Sequence, residues 1–401
     1  MVKRNLVIYP LYRFFINMLI IGPILVPFML FKGLNYSQIM LLQSISAISV
    51  FLFEVPTGAI ADKVSRRFSL FLSGIFAAIG LLLYIVFKNF YIFALAEMLF
   101  GLGMTLSSGA DSALLYESLK EIGKKEEYQH REGNAASYIF IGQAVGSIFS
   151  GFLYKYNHFA PFWISFGNLL VASIIALLFY EAEREKSEHR YTSHIFKSFG
   201  IVFKTPRILW AVCFSALMGF VLRVGYWLYQ PYFKEVDLDI AWYGVVFFFF
   251  NIVAAFSSHY LTRRYSNERP RRILLALSTL MALGFFLPIV FVAKWAIALL
   301  ALQQIVRGLY RPTMNFYINH QIRDTYRATV ISTVSLVSNL SFAVLSPFVG
   351  IMLDKTGTVP SYLFVGAVAA SGTFALYLLR KKQRNSSFDQ FPALKCWVLG
   401  G

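Results

Sequence analysis

The chain has 401 residues, of which 57% are hydrophobic and only 14% charged, against about 25% in an average soluble domain. That balance excludes a set of soluble domains, whose surface needs more charge, and a disordered chain, which needs low hydrophobicity. The formal net charge of +17 would suit nucleic acid, but no soluble fold is there to present a basic patch, so the chain reads as an integral membrane protein with no nucleic-acid partner.

In chain order, twelve apolar stretches are each long enough to cross about 30 Å of hydrocarbon. They are predicted as helices at 6–31, 37–61, 68–87, 90–117, 133–154, 160–180, 207–233, 240–262, 272–292, 295–319, 327–353 and 360–380. The short alternating strands of an outer-membrane barrel are absent. Lys3 and Arg4 precede the first stretch as they would in a signal peptide. Arg13 interrupts the run, however, and no small-residue cleavage site follows, so an uncleaved helix is expected. The longest polar interruption splits six spans from six. The expected layout is a six-helix bundle at 1–180, a linker at 181–206, a second bundle at 207–380 and a basic tail at 381–401.

Basic residues set the orientation. Six of the 37 Lys and Arg fall in one set of loops (Lys32, Lys88, Lys155, Lys234, Lys294, Lys355) and four inside spans, which leaves 27 on the other side. Both termini are therefore expected in the cytoplasm of a bacterial inner or plasma membrane. Cys213 lies in an apolar run and Cys396 in the tail, with no disulfide framework, no metal-ligand spacing and no implied cofactor.

The loop after the second span reads Gly58-Ala-Ile-Ala-Asp62-Lys-Val-Ser-Arg66-Arg67. Gly58 permits close helix approach, and Asp62 ends a helix beside two arginines. This resembles the signature of the major facilitator superfamily, G-x-L-a-D-r-x-G-r-k/r, with Ser65 in place of the second glycine. The resemblance covers about 6–380. It implies an all-α membrane fold of twelve helices in two pseudo-symmetric six-helix bundles. It also implies that Gly58, Asp62, Arg66 and Arg67 latch the cytoplasmic side when the protein faces outward. The corresponding loop after span 8 keeps Arg263 and Arg264 but has no acid.

Span 5 carries Gly142-x-x-x-Gly146-Ser147-x-x-Ser150-Gly151, similar to the antiporter motif of the drug-export branch, with Ser147 in place of its proline. Small-residue helix packing is the plainer reading of the same glycines.

In the superfamily, spans 1, 4, 7 and 10 line a central cavity, and six charged residues fall on those four here: Arg13, Glu97, Asp111, Arg223, Arg307 and Arg311. At about 100° per residue, Glu97, Gly101, Met104, Ser108 and Asp111 share one face of span 4. Gln304, Arg307, Arg311 and Asn315 share a face of span 10; Arg223, Tyr226, Trp227 and Gln230 one of span 7; Arg13 and Asn17 one of span 1. Arg307 and Arg223 lie near mid-membrane and are the first candidates for substrate contact. Tyr226 and Trp227 are the expected walls, with Gln304, Arg13 and Asn17 beside them.

Glu97 is a proton-coupling candidate through a carboxyl that alternates between burial and an arginine neighbour. Asp111 and Arg311 lie toward the cytoplasm and suit a gate, with a coupling role also open to Asp111. Glu54 matches Arg13 in depth, so a Glu54–Arg13 pair is expected, with proton coupling through Glu54 as the sharper option. His259 is expected to be packed or water-linked, and Phe247–Phe250 point all around span 8.

Four arginines against two carboxylates leave this set at +2, which points to an anionic or zwitterionic solute. The expected function is a secondary active transporter that exports a small organic solute by proton-coupled alternating access. No nucleotide-binding loop is present to supply ATP. The competing readings are a multidrug/proton antiporter for lipophilic cations, an organic-anion importer, a lipid flippase of the same fold and a non-transporting sensor. No nucleophile–base pair at membrane depth suggests an enzyme. The expected partners are a small-molecule substrate, protons and the bilayer, with the chain working as a monomer.

Overall fold

A computed structural model describes residues 2–181, 205–258, 270–321 and 324–390. Among the described residues, twelve helical segments cross the membrane region. The first half contains α1 (Asn5–Asn17, resuming as Leu25–Phe31), α2 (Tyr36–Lys63), α3 (Arg66–Val86), α4 (Phe90–Ser107 with Ala110–Glu121), α5 (Tyr128–Ile148 with Ser150–Tyr156) and α6 (Ala160–Leu177). The second contains α7 (Pro206–Glu235), α8 (Tyr243–Phe256), α9 (Pro270–Phe291), α10 (Ala301–Gln321), α11 (Asp324–Thr356) and α12 (Thr358–Gln390).

Each predicted span has its helix. Among the described residues, nine helical stretches pass a simple test of length and apolar content. The other three are α8, which is short, and α5 and α10, which carry polar side chains. An even number of crossings puts both ends of the helical region on one membrane face, the near face; the loop between α1 and α2 lies on the far face.

The breaks inside helices have identifiable causes. Gly22-Pro23 and Pro27 interrupt α1, because proline supplies no N–H to a helix interior. Bare backbone groups in hydrocarbon each cost several kcal/mol, on the order of the penalty for burying an unpaired amide. Side chains cover them here. Asn17 donates to the Arg13 carbonyl (2.8 Å), Asn168 to the Met18 carbonyl (3.0 Å), and the Ile20 N–H donates to Ser165 Oγ (2.9 Å). Gln230, from the other half, accepts from the Val26 N–H and donates to the Gly22 carbonyl. In α4 the break falls at Gly109, whose φ of +79° suits glycine and places Asp111 in the first turn of the next segment.

Within each half the helices pack on one another. α4 contacts α2 and α3, α6 contacts α3, and α1 contacts α5; in the second half α7 contacts α11 and α12, and α10 contacts α8 and α9. The halves meet along two helix pairs, α2 with α11 and α5 with α8. Adding six to each helix number exchanges these pairs, as expected of two pseudo-symmetric bundles.

The glycines of the span 5 motif supply close packing at both boundaries. A Cβ at Gly142 would lie 2.6 Å from the Phe14 carbonyl oxygen of α1, and one at Gly146 would lie 3.1 Å from that of Leu19. Gly151 lies against the Ile240 and Ala241 carbonyls, across the boundary between the halves. Gly142→Val is therefore expected to destabilise the protein by about 1–3 kcal/mol, the usual cost of overpacking. Thermal unfolding in detergent, followed by size-exclusion monodispersity, measures it.

Candidate functional site: a central cavity with one closed end

α7 positions the first candidates. Arg223, Tyr226, Trp227 and Gln230 recur at three- and four-residue intervals, so they share the face that looks toward the first half. Gln230 is buried against the α1 break, and the Tyr226 hydroxyl lies where a Cβ on Gly22 would approach to 3.1 Å. Deeper along the same face Arg223 is exposed, its guanidinium 5.5 Å from the Phe342 ring centroid. The face is therefore sealed toward the far side and open below it.

Arg307 of α10 occupies a comparable depth. Its guanidinium donates to Gln304 Oε1 (3.1 Å), to Asn251 Oδ1 of α8 (3.1 Å) and to Gln143 Oε1 of α5 (3.3 Å). Gln304 is fixed in turn by donating to the Tyr229 hydroxyl (2.9 Å), which donates to Gln303 Oε1 (3.0 Å). No carboxylate among the described residues lies within ion-pair distance of Arg307. It is a half-buried cation held by neutral amides from both halves, with Tyr226 and Trp227 on the adjacent helix.

Arg13 behaves differently. It pairs with Asp111 and, at 3.6 Å, with Glu132 of α5. Glu132 also accepts from the Tyr9 hydroxyl (2.8 Å) and from Ser112 Oγ (3.0 Å). Two carboxylates thus share one guanidinium on the near-face side of the first half. This corrects the expected Glu54–Arg13 pair: depth matched them, but Arg13 turns toward α4 and α5. Glu54 is exposed and makes no ion pair among the described residues. Asn17 serves the α1 break, as above.

Glu97 departs from expectation as well. It is buried among α2, α3 and α4, accepting from the Tyr84 hydroxyl (2.7 Å) and Gln43 Nε2 (2.9 Å), with neutral donors instead of an arginine. The face of α4 assigned to the cavity divides. Gly101 lacks a side chain, so α2 closes on it; a Cβ there would lie 2.8 Å from Ser49 Cβ. Met104 and Ser108 are exposed below.

Several contacts of the near-face signature lie within the first half. A Cβ on Gly58 would meet nothing within 4 Å among the described residues. Arg66 pairs with Glu117 at 2.5 Å, and Glu181 accepts from the Arg66 N–H (2.7 Å) and from Ser65 Oγ (2.5 Å), all within the first half. Arg67 and Arg311 are exposed. The side chain of Asp62, and His259, Arg263, Arg264 and Cys396, lie outside the described residues.

The far face, by contrast, is drawn together. Lys155 donates to Asp239 at 2.6 Å, Ser44 and Ser346 hydroxyls meet at 2.8 Å, and Asp354 of α11 accepts from the first turn of α2. The Lys155 ammonium, first, and the Ala241 N–H hold the exposed Asp239 carboxyl below its ordinary range. A depressed carboxylate pKa favours the paired form above the ordinary value, and that contribution is lost as pH falls through the depressed one.

Glu132, Gln143 and Asn251 were not among the residues singled out from sequence. Glu132 sits one residue before the span boundary drawn at 133, and Gln143 is hidden inside a glycine motif. Asn251 follows the Phe247–Phe250 run, whose apolar length masks it. Because Asp111 and Arg13 are both mostly buried, Arg13→Ala should cost about 3–5 kcal/mol by leaving a buried charge unpaired. Arg13→Ala/Asp111→Asn should recover part of that loss, as read by thermal unfolding of both variants in the same detergent.

The sequence model of the Major Facilitator Superfamily matches residues 13–294 and 237–396. An uncharacterised transporter of this type from Bacillus subtilis (strain 168), YxaM, is 22% identical over 352 residues, covering 83% of this chain and 86% of that protein. Solved structures share the fold at lower identity. The nucleoside transporter NupG superposes with a TM-score of 0.76 at 14% identity over 95% of this chain and 99% of that one. A bacterial homologue of the human lysosomal transporter Spinster, in an inward-facing and unoccupied conformation, gives 0.72 at 15% over 94% and 95%. A D-xylose–proton symporter gives 0.72 at 14% over 93% and 96%. With the family model spanning nearly all of the membrane region, the chain belongs to the major facilitator superfamily and is a multi-pass membrane transporter, not an enzyme.

Proposed function

We propose that the protein exports a small organic anion or zwitterion by proton-coupled alternating access, with Arg307 as the anion-binding group. The observation that carries this reading is the state of Arg307: a guanidinium at membrane depth whose partners are three neutral amides. Charges there are expensive and ordinarily paired. An arginine held in place without a carboxylate is organised for an anion that arrives from solution, and amide partners exchange for it at little cost. Arg223, exposed on the same cavity wall, adds positive potential, while Tyr226 and Trp227 offer apolar surface to the rest of the solute.

The near face is taken as cytoplasmic because 27 of the 37 basic residues fall on that side. The conformation described is then the inward-facing one, in a bacterial plasma membrane. Glu97 is the proposed proton carrier: a carboxyl buried among α2, α3 and α4 whose described partners are the neutral donors Tyr84 and Gln43. Export is favoured by the glycine motif of α5, which seats that helix against the break in α1. The protein is proposed to act as a monomer.

A second reading has an observation of its own. The Arg13–Asp111–Glu132 cluster carries one more carboxylate than cation, and it suits the positive end of a lipophilic cation better than Arg307 does. Proteoliposomes with an imposed pH gradient and a pooled set of organic anions and cations separate the two. Gradient-dependent movement of an anion, reduced at least about tenfold in Arg307→Ala, is expected. In Glu97→Gln, movement should persist but ignore the gradient. Movement of cations alone, unaffected by Arg307→Ala, would transfer the assignment to the acidic cluster.

A further inference from the structure

The signature at the end of α2 has a twin. The chain reads Gly58-Ala-Ile-Ala-Asp62-Lys63 at the end of α2 and Gly350-Ile-Met-Leu-Asp354-Lys355 at the end of α11. These two helices run in opposite directions along the boundary between the halves. The C-terminal end of each therefore lies at the membrane face where the other begins.

At the far face the twin is engaged. A Cβ on Gly350 would lie 2.8 Å from Ser37 Cα and from the Tyr36 carbonyl oxygen, so only glycine lets α11 come this close to the start of α2. That approach carries Asp354 onto the helix N-terminus. Its Oδ1 accepts from the Tyr36 N–H (2.9 Å), and its Oδ2 accepts from the Ser37 N–H (2.8 Å) and Ser37 Oγ (2.5 Å). Asn35 caps the next donor, the Gln38 N–H, from within α2 itself. The first-turn donors of α2 are thus divided between its own cap and a carboxylate of the other half.

Gly58 at the near face is the opposite case among the described residues, with none of them within 4 Å of where its Cβ would stand. One glycine is in backbone contact with the other half, while its twin meets no described residue.

We propose that Gly350 and Asp354 form a far-face latch whose seating on the N-terminus of α2 holds that face shut, and that it alternates with the Gly58–Asp62 latch through the transport cycle. A carboxylate at a helix N-terminus is favoured both by charge-assisted hydrogen bonds and by the helix dipole. Asp354 is also exposed, so water takes over its bonds when the halves part. The contact therefore biases a two-state equilibrium without locking it. The inference rests on alternating access alone, and not on the identity of the solute or of the coupling ion.

The test places a single reporter thiol at Val26, which is buried beneath the far-face seal, in a Cys213→Ser/Cys396→Ser background of the full chain. Intact cells expressing it are labelled with a membrane-impermeant maleimide, and Tyr156→Cys, exposed on the far face, calibrates access. Asp354→Asn is expected to raise the Val26→Cys labelling rate about tenfold, the scale of one charge-assisted contact. Ser37→Ala should raise it by less. Asp62→Asn should lower it, and the double variant should return toward the starting rate. An unchanged rate in Asp354→Asn and Ser37→Ala overturns the proposal, as does a shift of Asp354→Asn and Asp62→Asn in the same direction, which would mark a general loosening of the fold.

Discussion

Several glycines let one helix backbone come close to another in this protein, and the far face is where the two halves use that freedom. Gly151 of α5 and Gly244 of α8 bring one helix pair together, and Gly350 of α11 brings the other onto α2. The α1 break adds a third tie, because Gln230 of the second half completes its hydrogen bonding. Interfaces packed in this way are bistable rather than gradually deformable. The remaining features of the site follow from it: a cavity shut at one end, and a row of α7 side chains sealed above and uncovered below.

Within that frame the charges sort themselves by partner. Arg13 is committed to two carboxylates and Arg66 to Glu117, all inside the first half. Glu97 is held by neutral donors in the interior of the same half. Arg307 reaches across to the opposite half, through Gln143. A charge that touches both bundles, with no carboxylate at ion-pair distance among the described residues, is well placed to couple solute binding to their relative motion. On the proposed reading, an anion at Arg307 would alter a polar contact that spans the boundary.

Much of the architecture was legible because the bilayer leaves few choices: apolar length alone locates α1, α3, α6, α7, α9 and α12. α10 was readable in spite of its polar residues, since Gln304, Arg307 and Arg311 keep to one side. What sequence could not supply was the azimuth of each helix relative to its neighbours. Depth matched Glu54 to Arg13, yet rotation sends Arg13 to Asp111 and Glu132. Face analysis grouped Glu97 with Asp111, but Gly101 draws α2 over the upper part of that face. Gly22-Pro23 and Pro27 did announce a break in α1. Its consequence, the recruitment of Asn168, Ser165 and Gln230, depends on helices more than 130 residues away in sequence.

The most direct measurement is a pair of distance distributions by pulsed electron paramagnetic resonance in lipid nanodiscs. Spin labels at Val64 and Arg207 report the near-face separation of the halves, and labels at Tyr156 and Trp295 report the far-face separation; all four positions are exposed. The account predicts a major population with the near pair long and the far pair short. It also predicts a minor one in which both are reversed, with matching weights. Distances that lengthen and shorten together on the two faces, or a far pair that varies while the near pair stays fixed, would contradict it.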